Sequence, residues 1–130
     1  MPTRPISPHL TVYKFKYTLM TSILNRLTGL GLSAGLLLLV YWLVAIGSGA
    51  HAYARAARVL SAPLTKVVYL GFIVAFAYHL SAGLRHLVWD TGRGLERAQS
   101  QRSAWLIAAA SAALTALIAY YAWRAGARAP

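Results

Sequence analysis

The chain has no cysteine, and only two of its 130 residues, Asp90 and Glu96, are acidic. The first absence excludes disulfides, thiolate metal sites and iron–sulfur ligation by this chain. The second leaves 13 lysines and arginines nearly unbalanced, for a formal net charge of +11. Charged residues are also scarce: at 12% they are about half the share of a water-soluble domain, too few to cover one in water. A dinucleotide fingerprint and an internal repeat are missing as well. The basic residues neither cluster on one face nor interleave with an aromatic RNA-binding motif, so nucleic acid is excluded as a partner. They flank long apolar runs, where headgroup anchoring and topology control account for them.

Hydrophobic residues make up 58% of the chain, and the mean hydropathy is +0.54. Three runs carry no charge: Leu27 to Ala54 (28 residues), Val67 to Leu84 (18) and Ser103 to Trp123 (21). A bilayer core of roughly 30 Å takes about 20 apolar residues of helix, so each run is a candidate span with membrane lipid as its solvent. The fold class that follows is all-α, a single membrane-anchor domain over 1–130. Its three transmembrane helices lie at about 22–46, 64–88 and 102–124, as part of a helical bundle. Residues 1–21, with Pro2, Pro5 and Pro8, read as an extended arm on the inner side. "GSGAH" stops the first helix, Pro63 suits the first turn of the second, and "DTGRG" ends it. The small residues in "AHAYARA" do not mark a cleaved signal. The apolar run before them far exceeds an h-region, and 26 residues precede it.

Basic residues near the span ends divide unevenly. Arg4, Lys14, Lys16, Arg26, Arg85, Arg93, Arg97 and Arg102 gather on one side; Arg55, Arg58, Lys66, Arg124 and Arg128 gather on the other. The positive-inside rule then places the N-terminus in the cytoplasm and the C-terminus in the periplasm. Because Met1 opens no Arg/Ser-rich presequence, the expected location is a bacterial inner (cytoplasmic) membrane, crossed several times.

Small and polar residues inside the spans carry the chemistry. Gly31 and Gly35 form a GxxxG pair, and Gly29 with Ser33 a second small pair, suited to close helix packing in lipid. Ser22 and Arg26 share one helical face at the membrane boundary. There a hydroxyl and a guanidinium can hydrogen-bond a carbonyl or an anion, or the arginine can simply snorkel to headgroups. In "FAYHLSAGLRHLVWDTG", residues 76–92, His79 and His86 lie seven residues apart on one face, about 10 Å along the axis, with Gly83 between them. That leaves a shallow trough in which a flat macrocycle would fit, His79 reaching its metal and His86 a polar substituent. Haem ligation, a quinone or proton role, and simple helix packing against a neighbour's hydroxyl all remain open for His79 on these residues. A six-coordinate haem would need a second ligand from another chain, since neither His51 nor His9 is well placed. Arg85, six positions from His79, falls on another face.

Three stretches together, "RPISPHLTVY" at 4–13, "SILNRLTG" at 22–29 and "AYHLSAGLRHLVWDTG" at 77–92, give a further lead. The chain resembles the cytochrome b556 family of succinate dehydrogenase membrane anchors, the larger type of anchor in respiratory complex II. The resemblance implies a haem b-binding anchor that pairs with a second membrane-anchor subunit. Together they would seat an iron–sulfur subunit and a flavoprotein subunit on the inner side. Electrons from succinate would pass to ubiquinone as substrate, with haem b shared between the two anchors. By the same resemblance His79 is the axial ligand of the haem iron, Ser22 and Arg26 line the quinone pocket, and His86 and Arg26 lie near the haem propionates. Asn25 stands where this family often has histidine, which would shift that propionate role onto Arg26 and His86. Asp90 also fits the family pattern, or else is an exposed partner of Arg93. The chain itself would not be catalytic alone. A fumarate reductase anchor working in reverse and a haem-free structural anchor are the alternatives, and a three-helix transporter is disfavoured.

Overall fold

The computed structural model describes residues 17–126, and every regular element within them is helical. The elements are α1 (Tyr17–Gly47), α2 (Ala50–Leu60), α3 (Pro63–Asp90) and α4 (Arg97–Gly126). The stretch "RPISPHLTVY", His9 and Arg128 lie outside the described residues.

No proline interrupts the chain between 17 and 62, and leucine and alanine dominate α1, so helix continues until glycine stops it. Ser48 donates its amide to Val44 O (2.9 Å), and Gly49 then takes φ +96°, a conformation that L side chains rarely adopt. The stretch after it, an unassigned linker on sequence, is mostly helix α2. Its eleven residues hold five alanines and neither glycine nor proline, but they are too few to give a periodic signal. Ser61 N–H closes α2 on Ala57 O (2.9 Å), and Thr65 Oγ1 donates to Val59 O (2.7 Å), clamping the turn into α3. Pro63 opens α3, where its missing N–H is lost at no cost. After α3 ends, Gly92 (φ +78°) and Gly94 (φ +75°) reverse the chain, and Trp89 Nε1 donates to Gly94 O (3.0 Å).

Three helices are long and apolar enough to cross a membrane: Leu19–Gly47, Pro63–Asp90 and Arg97–Gly126, of 29, 28 and 30 residues. At 1.5 Å per residue each is about 42–45 Å long, more than the hydrocarbon core, so their ends reach the headgroups. They alternate in direction. The start of α1, the end of α3 and the start of α4 share what we term the near face; α2 and the opposite helix ends form the far face.

Helix α3 is central and packs against both α1 and α4. The buried apolar residues are nearly all alanine (Ala45, Ala56, Ala77, Ala82 and Ala104), joined by Ile107. Small side chains at the contacts let helix backbones approach closely, the principal way helices associate where lipid removes the hydrophobic drive. The large apolar residues point outward instead: Leu30 and Leu37 are each 71% exposed. In water that would be an aggregate; in a bilayer it is a lipid- or partner-facing wall. The protein is a multi-pass membrane protein.

Candidate functional site

The polar side chains of the spans converge in the near-face half, between α1, α3 and α4. Gly29 and His79 face each other across the α1–α3 contact. A β-carbon at Gly29 would stand 2.9 Å from Cε1 of His79, so only glycine leaves room for this ring. The ring is then held by Nδ1, which lies 3.1 Å from Asn25 O and 3.3 Å from Thr28 Oγ1.

Those two contacts fix the tautomer. A carbonyl oxygen only accepts, so Nδ1 carries the proton toward Asn25 O. The Thr28 hydroxyl donates back to Leu24 O (2.8 Å), or to Asn25 O (3.0 Å), and so presents a lone pair to the same N–H. Nε2, the nitrogen left with the lone pair, makes no hydrogen bond among the described residues. A neutral imidazole with Nδ1–H on a carbonyl and Nε2 free is the state in which histidine binds metals.

One turn nearer the boundary, Tyr78 donates to Thr21 O (3.0 Å), a second tie between α3 and α1. Below it Thr21, Ser22, Ala82, Arg85, His86 and Trp89 line a small hollow of about 70 Å³, closed by Ile107 of α4. The Arg85 guanidinium lies 3.9 Å above the Trp89 ring, and His86 meets the same ring edge-on at 5.2 Å. Two polar atoms here are buried without a partner: Arg85 Nε and Asn25 Oδ1. On α1 and α4, Tyr17 stacks on Trp105 with centroids 5.0 Å apart.

The sequence-derived residues are thus sorted by the fold. His79 and Asn25 meet directly. Ser22 and His86 share the hollow, and Arg85, assigned by spacing to another face than His79, joins them there. Arg26 is exposed on α1 and does not line the hollow. Gly83 has open space where a side chain would stand, as a trough requires. Asp90 is the exposed last residue of α3, and His51 lies on α2 at the far face. Thr28 and Trp89 were not singled out on sequence. Trp89 had a signal, since it follows Arg85 by four residues and so lies on its face. Thr28 had none, because nothing local says that α1 meets α3 at that level. Gly29, read as a helix-packing residue, in fact accommodates the histidine ring.

Comparison with known proteins gives the family. A profile of the succinate dehydrogenase/fumarate reductase transmembrane subunit family matches residues 1–118. The succinate dehydrogenase cytochrome b556 subunit of Paracoccus denitrificans is 43% identical over 114 residues, 88% of each chain. That of Rickettsia typhi is 36% identical over 115 residues, 88% of this chain and 90% of its own. The cytochrome b560 subunit of Reclinomonas americana is 40% identical over 98 residues, 72% of this chain and 68% of its own. A match over nearly the whole length, on a chain with three helices long and apolar enough to cross a membrane, places the protein: it belongs to the succinate dehydrogenase/fumarate reductase transmembrane subunit family.

Proposed function

We propose that this chain is the haem b-binding membrane anchor of a succinate:quinone oxidoreductase, with His79 as an axial ligand. The observation that carries the reading is the His79 ring, oriented by Asn25 O and Thr28 through Nδ1 and left with an unengaged Nε2. The residues present fit the group. Gly29 makes room for the ring, Gly83 leaves the adjoining helix wall open, and no cluster of metal-binding side chains within this chain is needed if a macrocycle brings its own nitrogens. Among the described residues no three His, Asp or Glu are grouped for a bare ion. When bound, haem b supplies a one-electron redox centre between two anchors.

A second protein ligand would come from a second anchor subunit, because among the described residues His86 is on the same helix as His79 and His51 is at the far face. His86 and Arg26, at the near-face end, are the groups for the propionates: the guanidinium offsets their charge and the imidazole offers a ring N–H. Asn25 Oδ1 is buried without a partner among the described residues; as an acceptor it offers a propionate nothing, which leaves that role to Arg26 and His86. Ser22 and Arg26 serve a quinone carbonyl, the hydroxyl by hydrogen bonding and the guanidinium by stabilising the charge that develops on reduction. The hollow behind Ser22, about 70 Å³, has room for a few waters but not for a quinone ring. The ring therefore lies on the outward side of the Ser22–Arg26 face, against partner residues. Succinate oxidation, flavin and iron–sulfur clusters belong to a flavoprotein and an iron–sulfur subunit docked at the near face. That face is cytoplasmic in a bacterial membrane, with the C-terminus periplasmic.

The test is a reduced-minus-oxidised absorption spectrum of the purified complex, wild type beside His79→Ala. A b-type α band lost or displaced in the variant is expected. An unchanged band, or a stable wild-type complex without haem, would leave His79 as a packing residue and the chain as a haem-free structural anchor.

A further inference from the structure

The far face carries a charge pattern that the interior site does not use. Helix α2 lies there between the ends of α1 and α3, and Arg55 and Arg58, one turn apart on it, are both exposed. The only acidic side chains in the protein, Asp90 and Glu96, stand at the near face. No side chain of this protein can therefore neutralise the two guanidiniums. Both line one open hollow of about 540 Å³, whose other walls are Tyr41 and Val59. The residues next in sequence to those walls, Trp42 and Leu60, line a second hollow of about 290 Å³ that is mostly apolar. It runs against Gly35, Tyr69 and Phe72 between α1 and α3.

A basic hollow at headgroup level with an apolar cleft beside it matches one kind of molecule. We propose that the far face seats an anionic phospholipid, its phosphate on Arg55 and Arg58 and an acyl chain in the cleft beside Phe72. The guanidinium fork fits phosphate oxygens in pairs, and two such forks one turn apart bracket a single phosphate. Tyr41, Trp42 and Tyr69 stand where aromatic side chains mark the membrane–water boundary, which sets the depth of the headgroup. Helix α2, with eleven residues, is too short to span and amphipathic enough to lie along that boundary. A zwitterionic lipid offers the same phosphate but brings an ammonium toward an already cationic surface, so the site prefers net negative headgroups. None of this depends on what His79 binds.

Native mass spectrometry of the whole detergent-purified complex, titrated with phosphatidylglycerol or phosphatidylcholine, tests it. Wild type is expected to retain phosphatidylglycerol preferentially. Arg55→Gln with Arg58→Gln should weaken the tightest phosphatidylglycerol adduct by roughly 25-fold, about fivefold for each charge removed. The corresponding double lysine variant should keep most of it, which separates charge from folding. Equal retention of both lipids by wild type, or an unaltered phosphatidylglycerol adduct in the glutamine variant, would overturn the proposal. So would a glutamine variant that releases a partner subunit with its lipid adducts unchanged, since the arginines would then be pairing with a partner's carboxylates.

Discussion

A β-carbon built on Gly29 would lie 2.9 Å from Cε1 of His79, whereas one on Gly31, two residues along the same helix, would meet nothing within 4 Å. The two glycines are therefore a matched pair for mutation. Gly29→Ala must push the imidazole off Asn25 O and Thr28, an overpacking cost of about 1–3 kcal/mol. Gly31→Ala fills empty space and improves helix propensity by about 1 kcal/mol. On the proposed haem reading, Gly29→Ala lowers the haem content of the purified complex or shifts its α band, and Gly31→Ala leaves both unchanged. Equal spectra for the two variants would show that the ring's position against α1 is immaterial to whatever His79 binds. At the same scale, Asn25 shows how a local substitution is read through its surroundings. Its backbone oxygen orients His79, a role any residue could fill, while its own side-chain oxygen stays buried without a partner among the described residues.

At the level of elements, the far-face connection shows how little of a helix–turn–helix needs strong chemistry. Between α1 and α2 the chain turns at Gly49, with φ +96° and no neighbour within 4 Å, so its requirement for glycine is conformational and not steric. Gly49→Ala strains that backbone by roughly 1–3 kcal/mol. Gly47, the last residue of α1, has no such φ and no neighbour, and alanine there should be silent. Thermal unfolding of the solubilised complex, followed by tryptophan fluorescence, should give a lower midpoint for Gly49→Ala than for Gly47→Ala. Coincident midpoints would mean that α2 does not depend on this turn. On α3, His79 is turned toward α1, and Arg85, six positions on, lines hollows shared with α4, so the helix delivers one polar group to each neighbour. That division follows from 3.6 residues per turn.

The whole molecule is a wall more than a globule. Its buried side chains are small, and leucines such as Leu30, Leu36 and Leu37 remain 60–71% exposed along α1. Lipid can cover some of this surface, but the proposed haem would need a second ligand from across the trough, and no described histidine stands opposite His79: His86 is on the same helix and His51 is on α2. Expressed without its partner anchor, the chain should therefore give no low-spin b-type spectrum in isolated membranes, and co-expression with that partner should restore it. A low-spin spectrum from the chain alone would remove the argument for a shared haem.

The sequence alone determined the solvent and the class: three long apolar runs with almost no acid among them can only be helices in a bilayer, since a lipid-exposed backbone must satisfy itself. It also determined the stops, because Gly49, Pro63 and Gly92 act through their own φ angles and need no distant contact. The seven-residue spacing of His79 and His86 was likewise legible, because helical periodicity is local. Tertiary structure alone decided which residues meet. That Gly29 stands opposite His79, that Thr28 and Asn25 O fix its tautomer, and that Ser22 shares a hollow with Arg85 while Arg26 stays exposed depend on the level at which α1 crosses α3. That level is set by alanine and glycine contacts spread over the length of two helices, and no single stretch of sequence encodes it. The short helix α2 was hidden for the same reason: eleven residues at a membrane surface are given their place by the two spans they join.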